Sequence, residues 1–178
     1  ADQISEGDLV FCLGCGQILS PAILARNTHN LIVHESALPK GKGWSPLTWQ
    51  ILEGRNEIPI TLFEAAKSID SGTIYIQDIL NFNGSELIDE LRQAQAEKSI
   101  EMCLHFVQEY PEIIETGREQ LGDSTYYPRR TPEHSRLDAD KTIREQFHLL
   151  RVVDNQRYPA FFELNGETYI IKIEKYRK

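Results

Sequence analysis

Two residues in this chain have the right chemistry, and the right kind of neighbourhood, to move protons together. His34 ends the apolar run Leu31-Ile32-Val33, and Asp70 lies in the short loop Ser68-Ile69-Asp70-Ser71-Gly72, 36 positions further on. A histidine at the carboxyl end of a buried strand stands where open α/β sheets gather their chemistry. An imidazole titrates near neutrality, and a carboxylate beside it favours the charged ring, so the pair suits general acid–base work. The loop after the histidine, Pro39-Lys40-Gly41-Lys42-Gly43, is rich in proline, glycine and lysine.

The flanking sequence predicts the elements that hold this pair. Residues 9–12 and 31–33 are short continuous apolar runs, as in strands covered on both faces. Between them Ser20-Pro21 opens a short helix reaching Arg26, so the segment reads as a parallel βαβ unit. Residues 45–52 predict a helix with Gly54 at its C-cap, and residues 59–63 and 73–77 a strand pair around Asp70. The longest helical stretch is 85–110, with Leu87, Ile88, Leu91, Ala94, Ile100, Cys103, Leu104 and Val107 as its apolar stripe. Pro111 begins another short helix, and a second amphipathic helix is expected over 140–153, with Ile143, Phe147, Leu150 and Val153 on one face. Asn165-Gly166 marks the turn of a hairpin within 161–171. The expected fold is an α/β, open, mostly parallel, Rossmann-like sheet over 1–121. A polar linker at 122–135 and a small α+β subdomain at 136–178 follow it.

Composition excludes several classes. Among 178 residues, 40% of them hydrophobic, no apolar run approaches the roughly 18 needed to span a bilayer. A net charge of −8 argues against a general nucleic-acid binder, Arg129-Arg130 being the one basic exception. Three cysteines, an odd number with no signal-type segment ahead of them, predict a reduced, cytoplasmic protein. Cys12-Leu13-Gly14-Cys15 has C-x-x-C spacing, but no second pair stands at zinc-site distance and Gly16 interrupts any following helix. Both thiols therefore read as strand-end packing. His29, His105, His134 and His148 occur singly and read as solvated or packing residues, so no metal is expected. Trp49 reads as core; Trp44 can stack on a substrate ring or cover the site.

Taken together, the motifs resemble those of the 10-formyltetrahydrofolate-dependent formyltransferases. The matching pieces are His34-Glu35-Ser36-x-Leu38-Pro39 with Gly43 and Pro46, then Thr61-Leu62-Phe63 leading into Ile69-Asp70-Ser71-Gly72, and Tyr127-Pro128-Arg129-Arg130-x-Pro132-Glu133. The resemblance implies that His34 is the catalytic histidine and that Asp70 holds it and helps move protons. It also implies 10-formyltetrahydrofolate as co-substrate, no metal, and a folate site lined by Gln17, Ile18, Leu19, Ala66, Ser68, Ile69 and Asp70. The family's third member, an asparagine two residues before the histidine, is replaced here by Ile32. Asn30 is the candidate substitute, and backbone amides of 41–43 are further candidate donors. Read alone, Ile18 and Leu19 would be ordinary core residues and His34 a satisfied strand-end histidine.

The linker resembles that of the sugar-nucleotide branch, which implies an amino-sugar nucleotide as acceptor, with Lys40, Trp44, Arg129 and Arg130 as candidate substrate-binding residues and no nucleic acid or membrane partner. A salt bridge between domains is the plain reading of the two arginines. The alternatives in function are a 10-formyltetrahydrofolate hydrolase, a methionyl-tRNA formyltransferase and a non-catalytic folate-binding module. The resemblance also implies βα repeats ahead of the first strand, so a missing N-terminal segment or a homodimer covering that edge is expected.

Overall fold

The structure, a computed structural model, describes residues 4–176; the outermost ends of the two expected domains, 1–3 and 177–178, lie outside them. Strand β1 (Gly7–Cys12), helix α1 (Pro21–Leu24) and strand β2 (Asn27–His34) form the expected βαβ unit, and β1 pairs parallel with β2. A two-residue strand β3 (Lys42–Gly43) and helix α2 (Pro46–Leu52) follow, then β4 (Glu57–Glu64) and β5 (Ile74–Asn81). The main sheet has the order β1-β2-β4-β5. The open α/β sheet is as expected, with its parallel character carried by the βαβ unit, because β4 runs antiparallel to both β2 and β5. A loop as short as 65–73 can join antiparallel neighbours, whereas a parallel pair needs a longer crossover.

Pro21 and Pro46 stand in the first turns of α1 and α2. Ser20 and Ser45 occupy the N-cap positions, but neither side chain makes a capping bond, and Ser45 is left-handed with φ 49°. Helix α3 (Ile88–Gln108) packs on β4 and β5 through Leu91, Met102 and Phe106, which join Leu31, Ile51, Ile58, Ile60 and Leu62 in one core. The expected stripe is thus rotated: Ile100, Leu104 and Val107 face outward. The buried set 91, 99, 102 and 106 includes Ser99, whose hydroxyl donates to the Gln95 carbonyl 2.8 Å away, so a hydroxyl that satisfies itself within the helix displaces an aliphatic position from the core face.

Beyond a 3-10 turn at Glu112–Thr116, the segment 122–135 crosses back over the sheet. There β6 (Tyr126–Tyr127) pairs parallel with β3. Trp49 is half-buried against this segment rather than in the core; its indole donates to Pro128 O at 2.9 Å and its ring stacks on Tyr127. The helix expected over 140–153 contracts to α4 (Phe147–Val152), and Ile143 is exposed. Hydrogen bonds from the Gln146 side chain to the carbonyls of Asp138 and Lys141 hold 138–146 as successive turns instead. Strands β7 (Ala160–Leu164) and β8 (Glu167–Ile171) form the hairpin, with Asn165 and Gly166 at φ 54° and 81°. Leu137, Leu150, Val153 and Ala160 make a second, smaller core. It is tied to the first by the buried Arg151, which donates to Asn56 Oδ1 at 2.8 Å and pairs with Glu86 at 3.2 Å.

Candidate active site

His34 is the last residue of β2 and 7% exposed. Its Nε2 lies 2.8 Å from Gly41 O and 3.7 Å from Asp70 Oδ2. A carbonyl only accepts, so Nε2 carries the hydrogen and Nδ1 is the basic nitrogen of the neutral ring. Asp70 reaches this position through a left-handed backbone, φ 48°, a conformation that short polar side chains tolerate. Its Oδ2 accepts the Gly43 amide at 2.8 Å, and the Gln120 side chain donates to the carbonyls of Asp70 and Gly72 at 3.0 and 2.9 Å. Gly72 is required by space: a Cβ there would fall 1.8 Å from Glu64 O, where the returning loop crosses the end of β4.

Glu35, beside the histidine, is 8% exposed, and its Oε1 accepts from Gln95 Nε2 at 2.6 Å. Burial pushes its carboxyl above the ordinary carboxylate range; the Asp70 charge adds to the rise, while His34 and the Gln95 hydrogen bond oppose it. The backbone around Glu35 is fixed by Gln50 of α2, which donates to Glu35 O at 2.6 Å, and by Thr61 of β4, which donates to Ser36 O at 2.6 Å.

These groups line a cavity of about 390 Å³. Of the residues expected at a folate site, Gln17, Ile18, Leu19, Ala66, Ser68, Ile69 and Asp70 all line it, joined by Ile32, Phe63, Trp44, Glu35 and Gln95. Trp44 stands at its rim with the Arg129 guanidinium 5.0 Å over its ring. Four expected site residues are not part of its wall, Arg129 reaching no further than the Trp44 ring. Asn30 turns back to the junction of α1 and β2, donating to Leu24 O at 2.9 Å, where the helix-ending carbonyl needs a donor, and to Asn27 O at 3.4 Å. Arg130 is spent on Val152 O, His134 O and Ser135 Oγ, which anchor the crossing segment to the smaller core. Lys40 is exposed on the turn after the histidine, away from the cavity wall.

Cys12 is buried as expected of strand-end packing, with burial and the neighbouring Cys15 pushing its thiol up to about 11. Cys15 is exposed and lines the cavity, contrary to that reading, since Gly14 at φ 61° turns the chain outward after β1. Among the described residues no group of three or more metal-binding side chains occurs, and no helix is long and apolar enough to cross a membrane. A wider cleft of about 760 Å³ opens between the start of α3 and residues 153–157 and 172–175, but no histidine or cysteine lines it and Arg92 pairs across it with Asp154 at 2.9 Å. The smaller cavity is the one in which the histidine and the loop carboxylate meet.

Sequence reasoning missed Glu35, Gln95, Gln120 and Thr125, the last accepting the Gly41 N–H at its Oγ1 across 2.8 Å. Glu35 had a signal, an acidic residue directly after the histidine; the others are brought in only by tertiary packing.

A strand-end histidine facing a loop carboxylate, over a cavity walled by the two loops of an open α/β sheet, is an arrangement suited to acid–base transfer. Residues 3–107 match the family described as formyl transferase, and the chain belongs to that family. The methionyl-tRNA formyltransferase of Mycoplasma capricolum is 24% identical over 178 residues, 98% of this chain and 56% of that protein. The chain spans about half the length of the curated relatives it matches. In fold it is similar to a sugar N-formyltransferase from Shewanella, at TM-score 0.71 and 17% identity over 96% of this chain and 71% of that one. It is also similar in fold to HypX from Aquifex aeolicus, solved in complex with tetrahydrofolic acid, at TM-score 0.73 and 18% identity over 93% of this chain and 29% of that one.

Proposed function

We propose that this chain carries the site of an enzyme that transfers a formyl group from 10-formyltetrahydrofolate to the amine of a nucleotide-linked amino sugar. The observation that carries this reading is the His34–Asp70 pair in the wall of a cavity formed by loops 16–19 and 65–70. The cavity suits a folate ring: Ile18, Leu19, Phe63 and Ile69 offer apolar contact, and the two loops offer backbone donors and acceptors at its edges.

The donor supplies the formyl carbon and a nitrogen leaving group. His34 Nδ1 accepts the proton that the attacking amine must lose, and the resulting imidazolium is stabilised by Asp70 across 3.7 Å. The same nitrogen then returns the proton to the departing nitrogen, so the ring ends as it began. The Gly43 amide and the Gln120 side chain keep the carboxylate on station throughout.

Arg129 over Trp44 supports a nucleotide-linked acceptor, since a guanidinium at the cavity rim can fork onto phosphate oxygens while the indole faces a ring. The net charge of −8 also favours a small acceptor over a polyanionic one. Methionyl-tRNA is the second reading, favoured by the methionyl-tRNA formyltransferases among the relatives. Single-turnover release of tetrahydrofolate, followed with a panel of amino-sugar nucleotides, with methionyl-tRNA and with water alone, tests both. Release that requires an amino sugar supports the proposal. Release that requires the tRNA replaces the acceptor, and release into water alone makes the enzyme a hydrolase.

A further inference from the structure

Formyl transfer places negative charge on the formyl oxygen as the amine adds, and a donor aimed at that oxygen is usually the largest single contribution to such a reaction. The wall beside His34 is poorly provided with free donors. Ile32 is apolar, His34 Nε2 is directed at Gly41 O, and the Gly43 amide is committed to Asp70. Glu35 stands in the same wall, buried, with the Gln95 amide donating to Oε1. With Oε1 serving as the acceptor, any carboxyl hydrogen resides on Oε2.

We propose that Glu35 is a third catalytic group of this site, a carboxylic acid whose Oε2 hydroxyl donates a hydrogen bond to the formyl oxygen as charge develops there. This role rests on the formyl-transfer reading above. The surroundings favour it: the charged or titratable groups acting on Glu35 are His34 on its own strand end and Asp70 on the facing loop, while the hydrogen bonds it accepts from α2 and α3 come from the neutral amides of Gln50 and Gln95. No cation of a lysine or arginine is paired with Glu35 among the described residues. Burial and the Asp70 charge both disfavour a second anion. The proton budget of the reaction is undisturbed: the C=O electron pair moves onto oxygen and back, the amine proton travels by His34 to the leaving nitrogen, and Glu35 keeps its own hydrogen throughout.

The test uses the full chain with 10-formyltetrahydrofolate and whichever amino-sugar nucleotide of the panel supports tetrahydrofolate release, comparing kcat/KM against pH for wild type, Glu35→Gln and Glu35→Leu. A glutamine keeps a donor and cannot ionise, so Glu35→Gln is expected to stay within about 10-fold of wild type and to lack the alkaline decline that wild type shows. Glu35→Leu is expected to lose about 100-fold at acid and neutral pH, the gap narrowing along the alkaline limb as wild type loses its carboxyl hydrogen, while binding tetrahydrofolate as wild type does. An unchanged alkaline limb in Glu35→Gln, or wild-type rates in Glu35→Leu, overturns the proposal. Infrared difference spectra supply a readout free of turnover: a protonated-carboxyl band present in wild type at neutral pH and missing in Glu35→Gln supports it, and absence of the band from wild type overturns it. If wild type transfers no formyl group to any acceptor while the band is present, the formyl-transfer reading has failed and the catalytic role with it, the protonation state still standing.

Discussion

The Asp70 carboxylate stands 3.7 Å from His34 Nε2, beyond hydrogen-bond length, while its Oδ2 takes a 2.8 Å bond from the Gly43 amide. The two side chains are therefore coupled through charge, and the shared backbone of 41–43 sets their separation: Gly41 O receives the imidazole hydrogen and Gly43 N–H holds the carboxylate. One three-residue stretch of backbone thus fixes both members of the pair.

Replacing Asp70 by asparagine keeps an acceptor for the Gly43 amide and removes the charge that stabilises the imidazolium. The expected outcome is a fall in kcat of about 100-fold or more with tetrahydrofolate binding little changed, read by single-turnover rates and titration. A kcat within a few-fold of wild type would show that the carboxylate charge does no catalytic work.

Glu35 carries a pH dependence of stability whose sign is fixed by its raised pKa. Its protonated form is the one the fold accommodates, so its favourable contribution is complete below the ordinary carboxylate pKa and is lost as pH rises through the elevated one. Urea unfolding of wild type and Glu35→Gln should therefore differ little in acid and diverge as pH rises, with the glutamine variant the more stable on the alkaline side. Parallel curves across the range would mean that the carboxyl is already ionised at no cost.

At Gly72 the constraint is steric. A methyl group would meet Glu64 O at 1.8 Å and must push the Asp70 loop off β4, so Gly72→Ala should cost about 3 kcal/mol in chemical denaturation and lower kcat through the displaced carboxylate. A stability loss below 1 kcal/mol, roughly the scale of an ordinary surface change, would mean that the loop moves freely.

Arg151 has no exposed surface and ties α4 to Asn56 and Glu86. Arg151→Met leaves the half-buried Glu86 against an apolar side chain, though the Asn83 and Gly84 amides still hold its carboxylate at 2.8 and 3.1 Å. The expected loss is about 3 kcal/mol, and lysine should not restore it, because one ammonium cannot reach three acceptors in a fork. Thermal melts of the three proteins decide this; a methionine variant as stable as wild type would show that the ion pair is dispensable.

The sequence alone determined the elements nearest the site and the pair at its centre. Apolar runs bounded by proline and glycine specify β1, β2, β4 and β5 locally, and the histidine and aspartate motifs sit at the ends of those runs, so their meeting follows from strand order. The Asn165-Gly166 hairpin was legible for the same reason, since two consecutive positive φ values suit few other pairs. Tertiary structure decided what periodicity leaves open. Which face of α3 is buried depends on what β4 and β5 present to it, so Phe106 is enclosed and Leu104 is not. The length of α4 was set by Gln146 bonding to distant carbonyls, which pattern counting does not register. Asn30 and Arg130 look like catalytic and phosphate-binding residues in a linear reading; each instead satisfies backbone carbonyls that only the folded chain brings within reach. Glu35 shows the same division most clearly: its position after the histidine is written in the sequence, but its acidity is a property of the buried wall formed by β2, α2 and α3 around it.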